Sequence, residues 1–248
     1  MVNDENTPLG APPGTILDDA VVQEFAANFR SQLIRPRDDG YEAARAVFNG
    51  MIDRRPELIA RCVGVADVIA AVNFAREHEL PVAVRGGGHS VPGYAVCEGG
   101  IVINRFPMKG VWVDPEARTA RAQAGLYWGE LDRETQVFGL AVTGGRFSET
   151  GIAGLTLGGG SGWLERKIGF TVDNLLSADV VTADGRFVRR ARRRTRTSSG
   201  GCAGAVVTSG SSPPSSTGCT PWARSCSAGC SSSRPTGRVR SWVSTATS

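Results

Sequence analysis

Two glycine-rich stretches hold the residues best suited to chemistry. The first is Arg85-Gly86-Gly87-Gly88-His89-Ser90. Consecutive glycines can adopt positive φ and let a ligand approach the backbone without Cβ contacts. Their successive N–H groups can form a nest for an anion such as a pyrophosphate. His89 is one of only two histidines. It reads either as a ligand-contacting imidazole or as a loop histidine bonded to backbone. The spacing is neither Gly-x-Gly-x-x-Gly nor a Walker loop, which argues against an ordinary Rossmann or P-loop site. The second stretch is Gly151-Ile152-Ala153-Gly154-Leu155-Thr156-Leu157-Gly158-Gly159-Gly160-Ser161-Gly162. A solvated linker would not interleave Ile and Leu with its glycines. A backbone packed closely against a flat ligand explains both features.

The elements around these stretches follow from periodicity. Val21, Val22, Phe25, Phe29 and Leu33 recur at helical spacing after Asp18 or Asp19, either of which suits an N-cap. Residues 38–48 read as a turn and a short helix, and 59–63 as a strand. Ala66–Glu79 is expected to be a helix with Asp67 in its first turn. Residues 81–85 form a short buried-type strand that delivers the first glycine stretch, and 100–104 the next strand. Val111–Val113 and Thr119–Gln123 flank Asp114-Pro115-Glu116 as a hairpin. Tyr127–Phe138 is helical, with Trp128, Leu131 and Phe138 on one side. Ala178–Thr182 and Arg186–Val188 pair across Ala183-Asp184-Gly185. The class is α+β, without an internal repeat. His78 is read as a surface residue, and Cys62 and Cys97 as buried or inert thiols.

The chain has 248 residues, 41% hydrophobic, enough for a sizeable core. No apolar run is long enough to cross a bilayer, and the polar start, Met-Val-Asn-Asp-Glu-Asn, does not look like a secretory signal. The net charge of +4 is unevenly placed. All 24 acidic residues precede Arg189, whereas residues 189–248 carry ten Arg and no Lys, Asp or Glu. Four of the six Cys (Cys202, Cys219, Cys226, Cys230) lie there among Ser, Thr, Gly and Pro. A basic arm for nucleic acid or membrane, a metal site at Cys226 and Cys230, and a disordered end are the readings of such a tail. The missing Lys, interleaved aromatics and zinc spacing favour disorder.

The ordered set of motifs identifies a resemblance. Arg85-Gly-Gly-Gly-His89-Ser90 follows a strand, and Gly125 follows another. The Gly-Leu-x-Leu-Gly-Gly-Gly-x-Gly-x-Leu block, Arg166-Lys167-x-Gly169, Asp173-Asn174 and Val180–Gly185 come next. From Asp38 to Arg189 the chain resembles the FAD-binding domain of berberine-bridge-enzyme-like and D-hydroxynicotine-oxidase-like flavoproteins, the PCMH-type or vanillyl-alcohol-oxidase fold. That resemblance implies two small α/β subdomains with FAD between them, an N-terminal arm and helix over 1–37, and a tail over 190–248. It implies that Arg85, Gly86, Gly87, Gly88, His89 and Ser90 cradle the pyrophosphate, and that His89 bonds covalently to the flavin 8α-methyl. Gly125, Thr150, Gly151, Gly154, Gly158 and Gly159 would line the cofactor, with Val180 and Val181 near the adenine. Phe147 stands where some members carry a second, cysteinyl attachment, so at most one link is expected.

The implied activity is hydride transfer from an alcohol, amine or sugar carbon of a small molecule to flavin N5. Dioxygen is the implied acceptor and the cytoplasm the expected compartment; neither nucleic acid nor a membrane is an expected partner. A non-catalytic or nonfunctional FAD-binding fragment is the alternative. A nucleic-acid binder using the Arg tail and a UDP-sugar reductase relative are weaker ones. Relatives continue past Arg189 with a segment containing Asn-Pro-Asp-Leu-Phe-Trp. GC-rich codons for it, read one base later, spell Thr-Arg-Thr-Ser-Ser-Gly, the residues at 195–200. Residues from about 190 onward are therefore expected to be a frameshifted reading that replaces the end of the FAD domain and the substrate domain, leaving little or no turnover.

Overall fold

The computed structural model describes residues 17–191 and 240–244. The first helix, α1 (Asp19–Ala27), starts where Asp18 accepts a hydrogen bond from the Ala20 N–H at 2.8 Å. It ends well before Leu33, which the periodicity had placed on the same helix. Leu33–Ile34 is instead a short strand, β1. A turn and α2 (Tyr41–Arg45) follow, then β2 (Leu58–Arg61), α3 (Val65–Glu77), β3 (Val82–Arg85) and β4 (Ile101–Asn104). Asp67 starts α3: its carboxylate accepts from the N–H groups of Val63 at 2.9 Å and Gly64 at 3.0 Å.

These strands form one sheet in the order β1-β2-β4-β3. The β2–β4 and β4–β3 pairs are parallel and β1 is antiparallel. Every residue of β4 is buried, as a strand covered on both faces requires. One face packs Leu58, Ala60, Ile101 and Ile103 against Val68, Val72 and Phe74 of α3. Phe25 of α1 stacks on Phe74 at 4.2 Å between ring centroids. The other face packs Ile59, Ala83 and Val102 against Ile34, Tyr41 and Val96. The register aligns Arg61 and Arg85 with Asn104, so the carboxyl ends of the three parallel strands share one edge.

The second sheet begins with the expected hairpin, β5 (Val111–Asp114) and β6 (Thr119–Gln123). Next come α4 (Trp128–Gln136), α5 (Ile152–Leu157), α6 (Glu165–Ile168), a 3-10 turn over Thr171–Asn174, β7 (Leu175–Val181) and β8 (Phe187–Ala191). Trp128 and Leu131 are buried as expected, but Phe138 lies beyond the end of α4 and is half exposed. The chain leaves the helix there through a turn at Gly139, whose φ is +63°. A small alanine-rich core, Ala120, Ala122 and Ala124, packs under Leu126, Trp128, Leu131 and Ile152.

Two short parts of the tail expected over 190–248 fall among the described residues. β8 runs past residue 189 to Ala191. Residues Arg240–Ser244 form β9, giving the sheet order β5-β6-β9-β7-β8. β9 lies parallel to β6 and β7 and pairs with the backbone of both. Ser, Trp and Val are adequate strand formers, and the slot offers hydrogen-bond partners on both edges. The remaining tail residues, Cys202, Cys219, Cys226 and Cys230 among them, and the N-terminal arm over 1–16 lie outside the described residues. No helix among the described residues is long and apolar enough to cross a membrane.

Candidate cofactor site

The first glycine stretch leaves β3 at the carboxyl edge of the parallel strands, where open α/β sheets place their ligands. It meets the second stretch directly. A Cβ on Gly87 would lie 2.6 Å from the Cα and N of Gly151, and a Cβ on Gly151 2.5 Å from the Gly87 nitrogen. Neither position can carry a side chain without parting the two loops. Tyr127 holds Gly151 from the other side as an isolated β-bridge. Two further bonds run between the segments, Ile152 N–H to Leu126 O at 3.0 Å and Trp128 N–H to Thr150 O at 3.0 Å. Gly87 and Gly151, sixty-four positions apart, thus meet in direct backbone contact, with the Tyr127 ring also beside Gly87.

The other residues of the first motif divide by environment. Gly88 has φ +74°, and the Arg85 guanidinium lies 3.2–3.5 Å from where its Cβ would be. Arg85 donates to the Ala44 carbonyl at 2.6 Å, which leaves its positive charge uncompensated by that bond. Burial moves its pKa down from the ordinary arginine value. Beneath Gly86 lies the buried guanidinium of Arg105, pushed down to about 10 by burial. Two cationic side chains therefore underlie one loop. Ser90 turns inward on its own loop, its Oγ accepting from the Tyr94 N–H at 3.1 Å. His89 is half-buried, stacked on Phe48 at 4.5 Å with 16° between the planes and edge-on to Tyr127 at 6.5 Å.

The remaining predicted residues are spread more widely. Gly125 faces the carbonyls of Arg105, Phe106 and Met108, 2.2–2.6 Å from where a Cβ would stand, so close packing accounts for this glycine. Gly154 and Gly159 face open space, with nothing within 4 Å of a Cβ, and Gly159 has φ +103°. Gly158 caps α5. Val180 and Val181 are buried in β7, opposite Val188 and Phe187 of β8, so only their backbone is available to a ligand. Cys62 is buried and its thiol pKa is pushed up by burial; Cys97 is pushed up to about 11 for the same reason, which suits inert thiols. His78 caps α3 and packs on Phe74. No group of three or more potential metal ligands occurs among the described residues.

Some participants were not singled out from sequence. Tyr127 touches both glycine loops and anchors a small cluster in which Lys109 lies 3.9 Å from the centroid of Phe106 and 4.5 Å from that of Tyr127. Glu130 accepts from Lys109 and from the Tyr127 N–H, each at 2.7 Å. Arg105, directly after an apolar strand, was a readable signal, since a charge there must be buried or turned out. A separate cleft of about 70 Å³ is lined by Asp132, Gln136, Gly144, Gly145 and Trp163. Burial raises the Asp132 pKa to about 6.

Glycine loops in close backbone contact over one buried and one partly buried arginine, at the carboxyl edge of a parallel sheet, suit a large phosphate-bearing cofactor. Residues 56–190 match the family described as FAD binding domain, and the chain belongs to that family. It is 39% identical over 158 residues to (R)-6-hydroxynicotine oxidase from Paenarthrobacter nicotinovorans, covering 64% of this chain and 34% of that protein. Among solved structures, Physcomitrella patens BBE-like 1 superimposes with TM-score 0.64 at 28% identity, covering 68% of this chain and 37% of the other. The carbohydrate oxidase from Microdochium nivale gives TM-score 0.64 at 27% identity, with the same coverage. The berberine-bridge-like resemblance and the PCMH-type fold read from the motifs therefore hold, and FAD is the family's cofactor. The chain spans about a third of the length of the curated relatives it matches.

Proposed function

We propose that this chain is the FAD-holding part of an oxidoreductase that takes hydride from an alcohol, amine or sugar carbon of a small molecule. The observation that carries the reading is the Gly87–Gly151 contact, which brings the two glycine loops together above the partly buried Arg85 and the buried Arg105. The Arg85–Ser90 loop, backed by Arg85 and Arg105, neutralises a pyrophosphate. Gly154 and Gly159 let a flat ring approach the α5 region, and Val180 and Val181 offer backbone toward the adenine. Thr150 and Gly158 frame that face, and Gly125 keeps the 105–108 turn in place beneath it. Bound FAD supplies the two-electron acceptor chemistry, which no side chain can. The names of the similar oxidases, on a hydroxynicotine and on carbohydrate, support the substrate classes; dioxygen is the proposed final acceptor.

His89 is the proposed covalent anchor, and Phe147 leaves no thiol for a second link. We further propose that residues from about 190 onward are an out-of-frame reading. The family match stopping at residue 190 and the acid-free composition beyond it support this. Resequencing that finds the same frame in an intact gene removes that part. The test of the anchor is acid precipitation of the yellow protein. Colour is expected in the pellet of the native chain and in the supernatant of His89→Ala. Colour in the supernatant for both shows that His89 forms no bond.

A further inference from the structure

We propose that Phe48 is a positioning residue for His89, holding the imidazole plane so that a ring nitrogen meets the flavin 8α-carbon. The inference rests on the covalent reading of His89 above. The two rings are nearly parallel at 4.5 Å, a stacked pair, while Tyr127 makes an edge-type contact with the imidazole at 6.5 Å. A histidine is usually oriented by a hydrogen bond to its second ring nitrogen. Among the described residues no such bond to His89 is found, and the stack on Phe48 is its nearest ring contact. Phe48 is 72% exposed, and the ring face it covers is the one against the imidazole.

The backbone around Phe48 is tied to the histidine loop at every step. The Phe48 N–H donates to Gly88 O at 3.1 Å. Asn49 donates to Val91 O at 2.8 Å, and Arg54 donates to the carbonyls of Gly93 and Val96, both at 3.0 Å. In the reverse direction Arg85 donates to Ala44 O. Ile52 fills the space beside Gly93, whose φ is +78°. Residues 44–54 thus form a strap over residues 85–96, with Phe48 at its contact with the imidazole. Arg45 braces the strap from within through Glu42 and Asp53.

Attachment forms one nitrogen–carbon bond. The imidazole gives up its N–H proton and the methyl group one C–H proton. FAD held there would take up the electron pair, and dioxygen, as the co-oxidant named here, would carry off both electrons and both protons as hydrogen peroxide. A ring free to rotate spends less time in line with the methyl carbon, so the stack acts on the rate of this step.

The experiment uses the intact chain made in riboflavin-starved cells, with Phe48→Leu and Phe48→Tyr beside it. FAD is added in air, and the acid-insoluble flavin is followed with time; affinity is read separately from flavin fluorescence at the first time point. Phe48→Leu is expected to slow attachment about threefold to tenfold, with affinity within about twofold of native. Phe48→Tyr is expected to restore the native rate. Native and Leu chains attaching at equal rates overturn the inference and leave the covalent reading standing. A slower Leu variant that Tyr fails to rescue also overturns it, since the ring is then not what matters. Native protein that never retains flavin in acid overturns the covalent reading, and the role of Phe48 with it.

Discussion

Replacing Gly154 and Gly151 separately with alanine tests the site from opposite directions. Gly154 lies inside α5, its φ is ordinary, and nothing stands within 4 Å of the new methyl group. Without cofactor, Gly154→Ala should therefore stabilise the chain by about 0.5–1 kcal/mol, the helix preference for Ala over Gly. If this open face receives the flavin, the same methyl group intrudes on the ligand, and FAD affinity should fall about tenfold or more. Gly151→Ala places its methyl 2.5–2.7 Å from the Gly87 backbone. Ordinary carbon contacts are about 3.5–4.0 Å, so the loops must part by roughly 1 Å. Overpacking of that kind costs about 1–3 kcal/mol, and FAD binding should weaken as well. Urea unfolding of the apo chain and fluorescence titration with FAD give both quantities. A Gly154→Ala protein that is stabilised and binds FAD normally would show that the cofactor lies elsewhere. A neutral Gly151→Ala would refute the contact between the loops.

Other consequences follow from particular groups. The Asp132 pKa is raised to about 6 by burial, above its usual 3.8. The folded state then holds its proton more tightly, so this group's contribution is full below pH 4 and is lost as pH rises through 6. Asp132→Asn should remove that slope, worth up to about 3 kcal/mol, in urea melts between pH 4 and 7. Asp67→Ala removes the acceptor for two backbone N–H groups at the start of α3 and should cost about 1–2 kcal/mol in the same assay. Gly185→Ala combines φ +78° with a clash 2.2 Å from the Asn73 side chain. It should lower the thermal midpoint measurably, and an unchanged midpoint would contradict the β7–β8 turn. Ending the chain after Ala191 removes β9 and leaves facing edges of β6 and β7 unpaired. Lower stability and aggregation are the expected result, read by light scattering.

Much of the fold was legible because short-range signals agreed. Asp18 and Asp67 marked helix starts, Asp184-Gly185 marked a hairpin, and the short apolar runs over 81–85 and 100–104 marked strands. Helical spacing alone misled at Leu33 and Phe138, where sheet pairing and a glycine turn take over. β9 was invisible because its stability comes from two partner strands distant in sequence, not from its own five residues. The glycine loops announced the cofactor region, since their composition has few other uses. Composition could not show that Gly87 and Gly151 touch, nor that Gly125 is required for packing under the 105–108 turn. Phe48 and Tyr127 were missed for the same reason: an aromatic residue becomes part of a site only through the neighbour it faces.

The central claim is that this chain folds into a domain that holds FAD. Titration of the purified, flavin-free chain with FAD, followed by isothermal calorimetry with circular dichroism on the same sample, tests it most directly. Saturable binding of a single FAD per chain, abolished or greatly weakened in Gly151→Ala, is the predicted result. A chain that keeps its α+β dichroism and binds no FAD would contradict the account.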